Sequence, residues 1–274
     1  MNCVNKYKQI RYWIEDLPKM GKNSFALSEV KELFPQKPSE QIKNALNRLV
    51  SSGKIASVWR GFYVIVSPDY GLKGSVPPTE YIDHLMTYLE KDYYVSTLSA
   101  ATLHGAAHQK PHVFTFVCDQ ILHSKEKNGV RLIPLIKKRI PHKYIERKNV
   151  KSGAINVSTP ELTAVDLLLY PLKSGGLGNI LTILADLSES IDIAFLGKDF
   201  FDNVPASVIQ RLGYLLDAGL GNTVLADELL NKSRSLDIKF RKTPLASYRN
   251  MNDANSSYNN KWKIIVNDDI EVDI

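Results

Sequence analysis

The chain is poor in the residues that mark several common classes of protein. Only two of its 274 residues are cysteines, Cys3 and Cys118, so neither a disulfide framework nor a cysteine metal site is predicted. No apolar run approaches the length that spans a bilayer, and the first ten residues, MNCVNKYKQI, contain no signal-peptide core. Together these absences predict a protein of the reducing cytosol that does not associate with membranes.

Histidines occur at a spacing that metal sites use, but their neighbours do not suit a metal. His104, His108 and His112 stand four residues apart, as metal ligands on a helix could. A zincin would have glutamate after the first histidine, where this chain has Gly105, and Pro111 interrupts the helix before the third. Packing or capping histidines are therefore expected.

Two further patterns lack the surroundings that their chemistry requires. Ser96 or Ser99 with His104 and Asp166 would supply the groups of a hydrolase triad, yet no G-x-S-x-G turn surrounds either serine. The segment 175–179, GGLGN, has neither a P-loop lysine nor the preceding strand of a dinucleotide fold, which favours a flexible turn. The sequence predicts no catalytic residue, no metal site and no cofactor.

The charge of the chain is distributed in blocks. The formal net charge is +6, but residues 1–75 hold 12 Lys/Arg against 6 Asp/Glu, and residues 123–151 hold 10 against 2. Residues 76–122 and 152–274 are acidic on balance. The two basic blocks are candidate surfaces for a polyanion such as nucleic acid, with an ordinary solvated surface as the alternative. The hydrophobic share of 44% is typical of a globular protein with a substantial core.

The stretch from residue 39 to residue 66 organises the rest of the chain. Within 39–52 the apolar residues follow the spacing of one buried helix face: Ile42, Ala45, Leu46, Leu49 and Val50. Ser39 is predicted to cap the start of this helix, and Gly53 to supply the left-handed residue after its end. Residues 55–59 and 62–65 are predicted strands of a hairpin that turns at Arg60-Gly61.

The residues in front of this stretch complete a known order of elements. A first amphipathic helix ends at Pro18, a short extended piece follows at 25–27, and Ser28 is placed to cap a second helix that ends at Pro35. Helix, strand, helix, turn, helix and hairpin is the order of a winged helix-turn-helix domain, predicted for residues 1–67. The alternatives are a winged helix that contacts only protein and a simple solvated helix face.

The polar face of the third helix carries side chains suited to DNA. Gln41, Asn44, Asn47 and Arg48 can present paired donors and acceptors to base edges, while Lys43, Lys54 and Arg60 can contact phosphates or, through the wing, a minor groove. The full set of predicted DNA-binding residues is Lys37, Gln41, Lys43, Asn44, Asn47, Arg48, Lys54, Trp59 and Arg60. An additional basic patch, Lys137, Lys138 and Arg139, is a candidate for backbone contacts to DNA or to another polyanion, or a solvated loop.

The second part of the chain is predicted as a larger mixed domain. Residues 68–78, rich in proline and glycine, favour a linker, and residues 79–274 an α+β domain whose helices come late. Strands are predicted at 113–118, 130–136, 155–157 and 262–266, and helices at 180–190, 198–203, 205–218 and 223–232. Thr159-Pro160-Glu161 predicts a helix start.

Several of these segments, taken together, resemble one protein family. The wing ends in R-G-x-Y from Arg60 to Tyr63, and YYVSTLSAATLHG, VRLIPLIKKR, STPELTAVDLL, QRLGYLLD and KWKIIVN follow in that order. This series is similar to the AbiEi antitoxins of the type IV toxin–antitoxin systems of bacteria, which act in abortive infection. The resemblance extends over nearly the whole chain, although residues 237–258 contribute little to it.

The resemblance implies a DNA-binding repressor with a second role. Its N-terminal domain would bind inverted repeats in its own promoter and repress the antitoxin–toxin operon. Its C-terminal domain would share in repression and counteract a nucleotidyltransferase-like toxin, in a system type that generally works without a stable antitoxin–toxin complex. Two other classes stay open on the residues alone: a winged-helix regulator that senses a ligand, and a nucleic-acid-processing enzyme whose carboxylates converge from distant positions.

Overall fold

The structure is a computed structural model that describes residues 7–71, 75–107, 113–127, 129–249 and 257–268. It is a mixed α+β structure, which confirms the predicted class. The helices are α1 Ile10–Asp16, α2 Leu27–Leu33, α3 Ser39–Ser51, α4 Pro68–Gly71, α5 Ile82–Leu89, α6 Thr97–Leu103, α7 Pro160–Leu169, α8 Gly176–Leu187, α9 Lys198–Asn203, α10 Ala206–Tyr214 and α11 Thr223–Ser235. The strands are β1 Ser24–Ala26, β2 Ile55–Trp59, β3 Phe62–Ile65, β4 Tyr93–Val95, β5 Val113–Cys118, β6 Lys125–Lys127, β7 Val130–Ile136, β8 Ile145–Val150, β9 Gly153–Ser158, β10 Thr243–Pro244, β11 Ser257–Asn259 and β12 Ile264–Val266.

The described residues belong to two compact units. The first lies within Met1–Tyr94, His112–Ile140 and Arg147–Asn156, and the second within Val95–Pro111, Pro141–Glu146 and Val157–Ile274. One helical turn, α4, falls inside the segment 68–78 that the sequence predicts as a linker. In the described part of the chain, no helix is long and apolar enough to cross a membrane.

The front of the first unit is built from α1, α2 and α3 and a small antiparallel sheet. The strand order is β1-β3-β2, with Phe25 opposite Tyr63. The two strands of the hairpin have the predicted bounds. Helix α3 and the hairpin bury residues that their periodicity predicts, because the apolar stripe of the helix and the inner face of the sheet meet in one core. The buried residues of this core are Ile10, Trp13, Ile14, Leu17, Phe25, Val30, Phe34, Ile42, Leu46, Leu49 and Ile55.

The third helix begins differently from the prediction. Pro38 occupies the cap position, with extended backbone (φ −55, ψ 142), and its carbonyl accepts the Ile42 amide at 3.1 Å. Ser39 is therefore the first helical residue, and its side chain caps nothing, so the predicted serine cap is wrong. The predicted end is confirmed, because Gly53 has a left-handed φ of 68° just after the helix.

The second helix also starts before its predicted cap. It begins at Leu27, so Ser28 lies inside its first turn and is not the cap. The Glu29 carboxylate instead accepts the backbone amide of Ala26 at 2.8 Å. This is the glutamate half of a capping box, which needs no hydroxyl at the cap position.

The structure also contains a six-stranded sheet of order β6-β7-β5-β4-β9-β8. Strands β5 and β7 are parallel in register from Val113–Arg131 to Cys118–Ile136, and β6 is antiparallel to β7. Because β6 lies at the edge of the sheet, one side of this short Lys-Glu-Lys strand pairs with no other strand in the described ranges. Cys118 is buried and is a free thiol.

The second unit is mainly helical, as predicted, from α7 to α11. Thr159 caps α7, and its hydroxyl accepts the Leu162 amide at 3.5 Å, which confirms the predicted helix start. A small sheet of order β10-β12-β11 closes the unit. The apolar faces of the late helices are buried together, among them Leu162, Val165, Ile180, Leu184, Ile209, Leu212 and Leu216.

Several element bounds in the second unit differ from the prediction, and three of the differences have local reasons. Helix α8 starts at Gly176 instead of residue 180, because Gly175 takes a left-handed φ of 84° and forms its cap. The helix predicted to reach residue 218 is α-helical only as far as Tyr214. A π-helical turn, Leu215–Gly219, follows it directly. Lys263 has a φ of 52°, which no strand accommodates, so β12 begins at Ile264 and not at 262.

Candidate nucleic-acid interface

The outer face of α3 is polar, cationic and exposed. Ile42, Leu46 and Leu49 bury the inner face, so the helical period leaves five predicted residues directed to solvent. All five are exposed: Gln41, Lys43, Asn44, Asn47 and Arg48. Their amides and guanidinium offer the paired hydrogen-bond groups that match the major-groove edges of adenine and guanine.

An open groove of about 700 Å³ runs beside this face, between α3 and α1. Five of the predicted DNA-binding residues line it, together with Arg11: Lys37, Gln41, Asn44, Arg48 and Lys54. A second concavity on the same helix is lined by Asn44, Asn47, Arg48, Ser51 and Ser52. The structure thus brings most of the predicted set onto one continuous surface, whereas Lys43, Trp59, Arg60 and the basic patch line neither concavity.

One predicted phosphate contact already has a carboxylate partner. The Lys54 ammonium lies 2.9 Å from Glu15 Oε1, and Arg11 Nε donates to the same oxygen at 2.8 Å. These two hydrogen bonds, the one from Arg11 first, lower the pKa of Glu15. Because the group is exposed, the pairs contribute little to stability, and a phosphate would compete for both cations. No local pattern in the sequence indicates Glu15, which lies 39 residues from Lys54.

The hairpin tip carries the remaining predicted contacts. Arg60 is exposed, Trp59 is half-buried, and the pairing of β2 with β3 shifts register between Ser57 and Trp59. Lys125 of strand β6 places its ammonium 5.5 Å from the centre of the Trp59 ring, within the range of a cation–π contact. Sequence reasoning missed Lys125, although it belongs to the basic block 123–151, because its proximity to the hairpin depends on the sheet.

Of the three cations in the basic patch, one contacts a neighbouring tyrosine and two are exposed. Lys137 Nζ lies 3.3 Å from the hydroxyl of Tyr94 and 5.9 Å from the centre of its ring. Lys138 and Arg139 are exposed after the end of β7. These two side chains are therefore better placed than Lys137 to meet a polyanion.

The residues weighed for catalysis are engaged in other interactions. Ser96 and Asp166 are fully buried, with the serine hydroxyl donating directly to the carboxylate at 2.7 Å. His104 Nε2 lies 2.7 Å from the backbone carbonyl of Ser158, so the histidine does not stand between serine and aspartate. Within the described ranges no group of three or more His, Cys, Asp or Glu residues could hold a metal, and His108 and His112 lie outside those ranges.

The model of one known protein family matches part of the chain. Residues 94–218 match a family model described as the AbiEi antitoxin C-terminal domain. The match supports the role of an antitoxin in a type IV toxin–antitoxin system. Over these residues the resemblance to AbiEi antitoxins found in the sequence is confirmed.

The fold is also similar to that of a solved structure. The crystal structure of the RV2827C protein from Mycobacterium tuberculosis aligns over 92% of this chain and 89% of that chain, with a TM-score of 0.65 and 14% sequence identity. At that identity the likeness concerns the fold alone. No curated protein sequence matches the chain.

Proposed function

We propose that this chain is an antitoxin that binds inverted repeats in its own promoter, represses its operon and counteracts a cognate nucleotidyltransferase-like toxin. The antitoxin domain at residues 94–218 supports the second role. The observation that carries the first role is the exposed amide and cation face of α3. The proposal places the protein in the cytoplasm, with operator DNA as its direct partner and no catalytic activity of its own.

The front of the first unit supports assignment as a winged helix-turn-helix domain. The order α1, β1, α2, α3, β2 and β3, with a three-stranded antiparallel sheet, is that of a winged helix. In such domains the helix after the turn enters the major groove and the hairpin forms the wing. Here α3 holds that position, and β2 and β3 form the wing.

The contacts of α3 are divided between bases and phosphates. Gln41, Asn44, Asn47 and Arg48 face the bases, because amides pair with adenine and a guanidinium pairs with guanine through two hydrogen bonds. Lys37 and Lys43 contact phosphates at the two sides of the groove, and Arg60 does so from the wing. Lys54 joins them once a phosphate replaces Glu15 as its partner. These cations contribute affinity without sequence preference.

We expect the exposed part of the basic patch to add phosphate contacts. Replacing Lys138 and Arg139 together by alanine should lower the slope of log K against log salt by about one for each cation that touches a phosphate. Fluorescence anisotropy with a labelled duplex from the upstream region, at several salt concentrations, measures this slope. A matched control removes two exposed lysines of the acidic block, Lys198 and Lys239, and should leave the slope unchanged. Equal slopes for the wild type and the patch variant would remove these two residues from the interface.

The two roles can be tested together in cells. A reporter fused to the region upstream of the reading frame should be repressed by the chain, and co-expression should restore growth when the neighbouring toxin gene is induced. A variant with Asn44 and Arg48 replaced by alanine should no longer repress the reporter but should still restore growth. That result would separate the two roles as proposed. Failure of the wild-type chain to repress or to restore growth would contradict the proposal.

A further inference from the structure

Helix α5, which follows the predicted linker, contacts the tip of the hairpin. The hydroxyl of Tyr88 donates to the backbone carbonyl of Arg60 at 3.3 Å. The Tyr88 ring also packs on Phe62, with ring centres 5.4 Å apart and planes tilted by 36°. Because Arg60 and Gly61 form the turn between β2 and β3, the tyrosine holds the turn itself and one of the strands next to it.

The backbone of the turn lies close to the Tyr88 hydroxyl. Gly61 has a left-handed φ of 75°, and a Cβ added at this position would lie 2.8 Å from the Tyr88 hydroxyl oxygen. The Gly61 carbonyl accepts the Leu27 amide at 2.8 Å. Both carbonyls of the turn therefore have partners outside the hairpin, and no other residue type fits at Gly61 without moving the tyrosine.

The same face of α5 has a second attachment one helical turn earlier. His84 Nδ1 lies 2.9 Å from the hydroxyl of Ser24 in β1, the strand that pairs with β3. Residues four apart lie on one face of a helix, so His84 and Tyr88 attach α5 to the small sheet at two points. Lys125, above the Trp59 ring, gives the tip a further contact from outside the hairpin.

We propose that Tyr88 is a positioning residue that fixes the wing tip in the orientation in which Arg60 reaches DNA. The inference rests on the proposed DNA-binding function and goes beyond it, because Tyr88 lies outside the segment 1–67 predicted to bind DNA. A two-residue turn without this support would sample several orientations, and ordering it on binding would cost conformational entropy. The tyrosine removes that cost before DNA arrives.

The test uses the full chain and a duplex from its own upstream region. Tyr88→Ala should weaken binding roughly tenfold, because one charge-assisted hydrogen bond from Arg60 contributes about that much. It should also lower the salt slope by about one. Tyr88→Phe keeps the ring and loses only the bond to the Arg60 carbonyl, so its affinity should fall between those of Tyr88→Ala and the wild type. Thr87→Ala, at an exposed neighbour whose hydroxyl donates to the Asp83 carbonyl within α5, is the matched control and should bind as the wild type does.

A double-mutant cycle separates positioning from a general structural effect. If Tyr88 acts through Arg60, then Tyr88→Ala should have no further effect on binding in an Arg60→Ala chain. Additive losses, or full affinity in Tyr88→Ala, would overturn the inference. Thermal unfolding of each variant shows that it is folded. The proposed function itself fails in a different way, when the wild-type chain does not bind the duplex at all.

Discussion

Replacing Trp262 by alanine is expected to lower the free energy of unfolding by about 3–5 kcal/mol, the usual range for a buried tryptophan. Trp262 is fully buried between the late helices and the last strand. A Cβ added at Gly213 of α10 would lie 2.1 Å from its ring, so helix and ring are in direct contact. Its Nε1 donates to Asp217 Oδ2 at 3.0 Å, and the neighbouring Lys261 bonds to Asp217 and Asp227 at 2.8 Å each.

Urea denaturation followed by circular dichroism measures this loss. Trp262→Phe keeps a ring against Gly213 and loses the indole N–H, so it should cost about 1.5–3 kcal/mol, the range for one hydrogen bond to a charged group. Gly213→Ala should also destabilise, since even a methyl group overlaps the ring. A loss below about 1 kcal/mol for Trp262→Ala would contradict the role of this tryptophan in closing the second unit.

Arg48→Ala is expected to weaken binding to operator DNA by about 1–3 kcal/mol, which is roughly a 5- to 150-fold change in Kd. Arg48 is exposed on α3 and lines both concavities beside that helix. Its guanidinium can make two parallel hydrogen bonds to the O6 and N7 atoms of one guanine. The loss should be much smaller on a duplex of random sequence, where no guanine is positioned to receive both bonds.

Lys43→Ala on the same helix is the matched control for this prediction. As a phosphate contact, Lys43 should contribute equally on operator and random DNA, so its removal should weaken both by the same factor. Anisotropy titrations of both variants on both duplexes give the comparison. If Arg48→Ala lost as much on random DNA as on the operator, Arg48 would be a phosphate contact and not a base contact.

Local patterns in the sequence predicted the first helix faces and the hairpin well. The stripe Ile42, Leu46 and Leu49 is buried, and the strands of the hairpin end where the alternation and Arg60-Gly61 indicate. Thr159 caps its helix because proline at the first helical position and the hydroxyl before it act within one turn. Such features depend on neighbours within a few residues, so a single sequence is sufficient to predict them.

Other features depend on contacts between distant residues and could not be predicted. The link from Tyr88 to Arg60 spans 28 residues, and Lys125 reaches Trp59 only because β6 pairs with β7 at the edge of the sheet. The ion pair between Glu15 and Lys54 likewise joins residues that are far apart in the sequence. The serine caps failed for a different reason: both helices begin before their predicted starts, so Ser28 and Ser39 lie inside the first turn.

The most direct test of the account is binding of the full chain to the duplex upstream of its own reading frame, at low ionic strength. The account predicts saturable binding that requires the inverted repeats, weakens steeply with salt, and loses its preference for the repeats when Asn44 and Arg48 are both replaced by alanine. Equal binding by the wild type and this double variant, or no binding by the wild type, would contradict the assignment of α3 as the DNA-contacting helix.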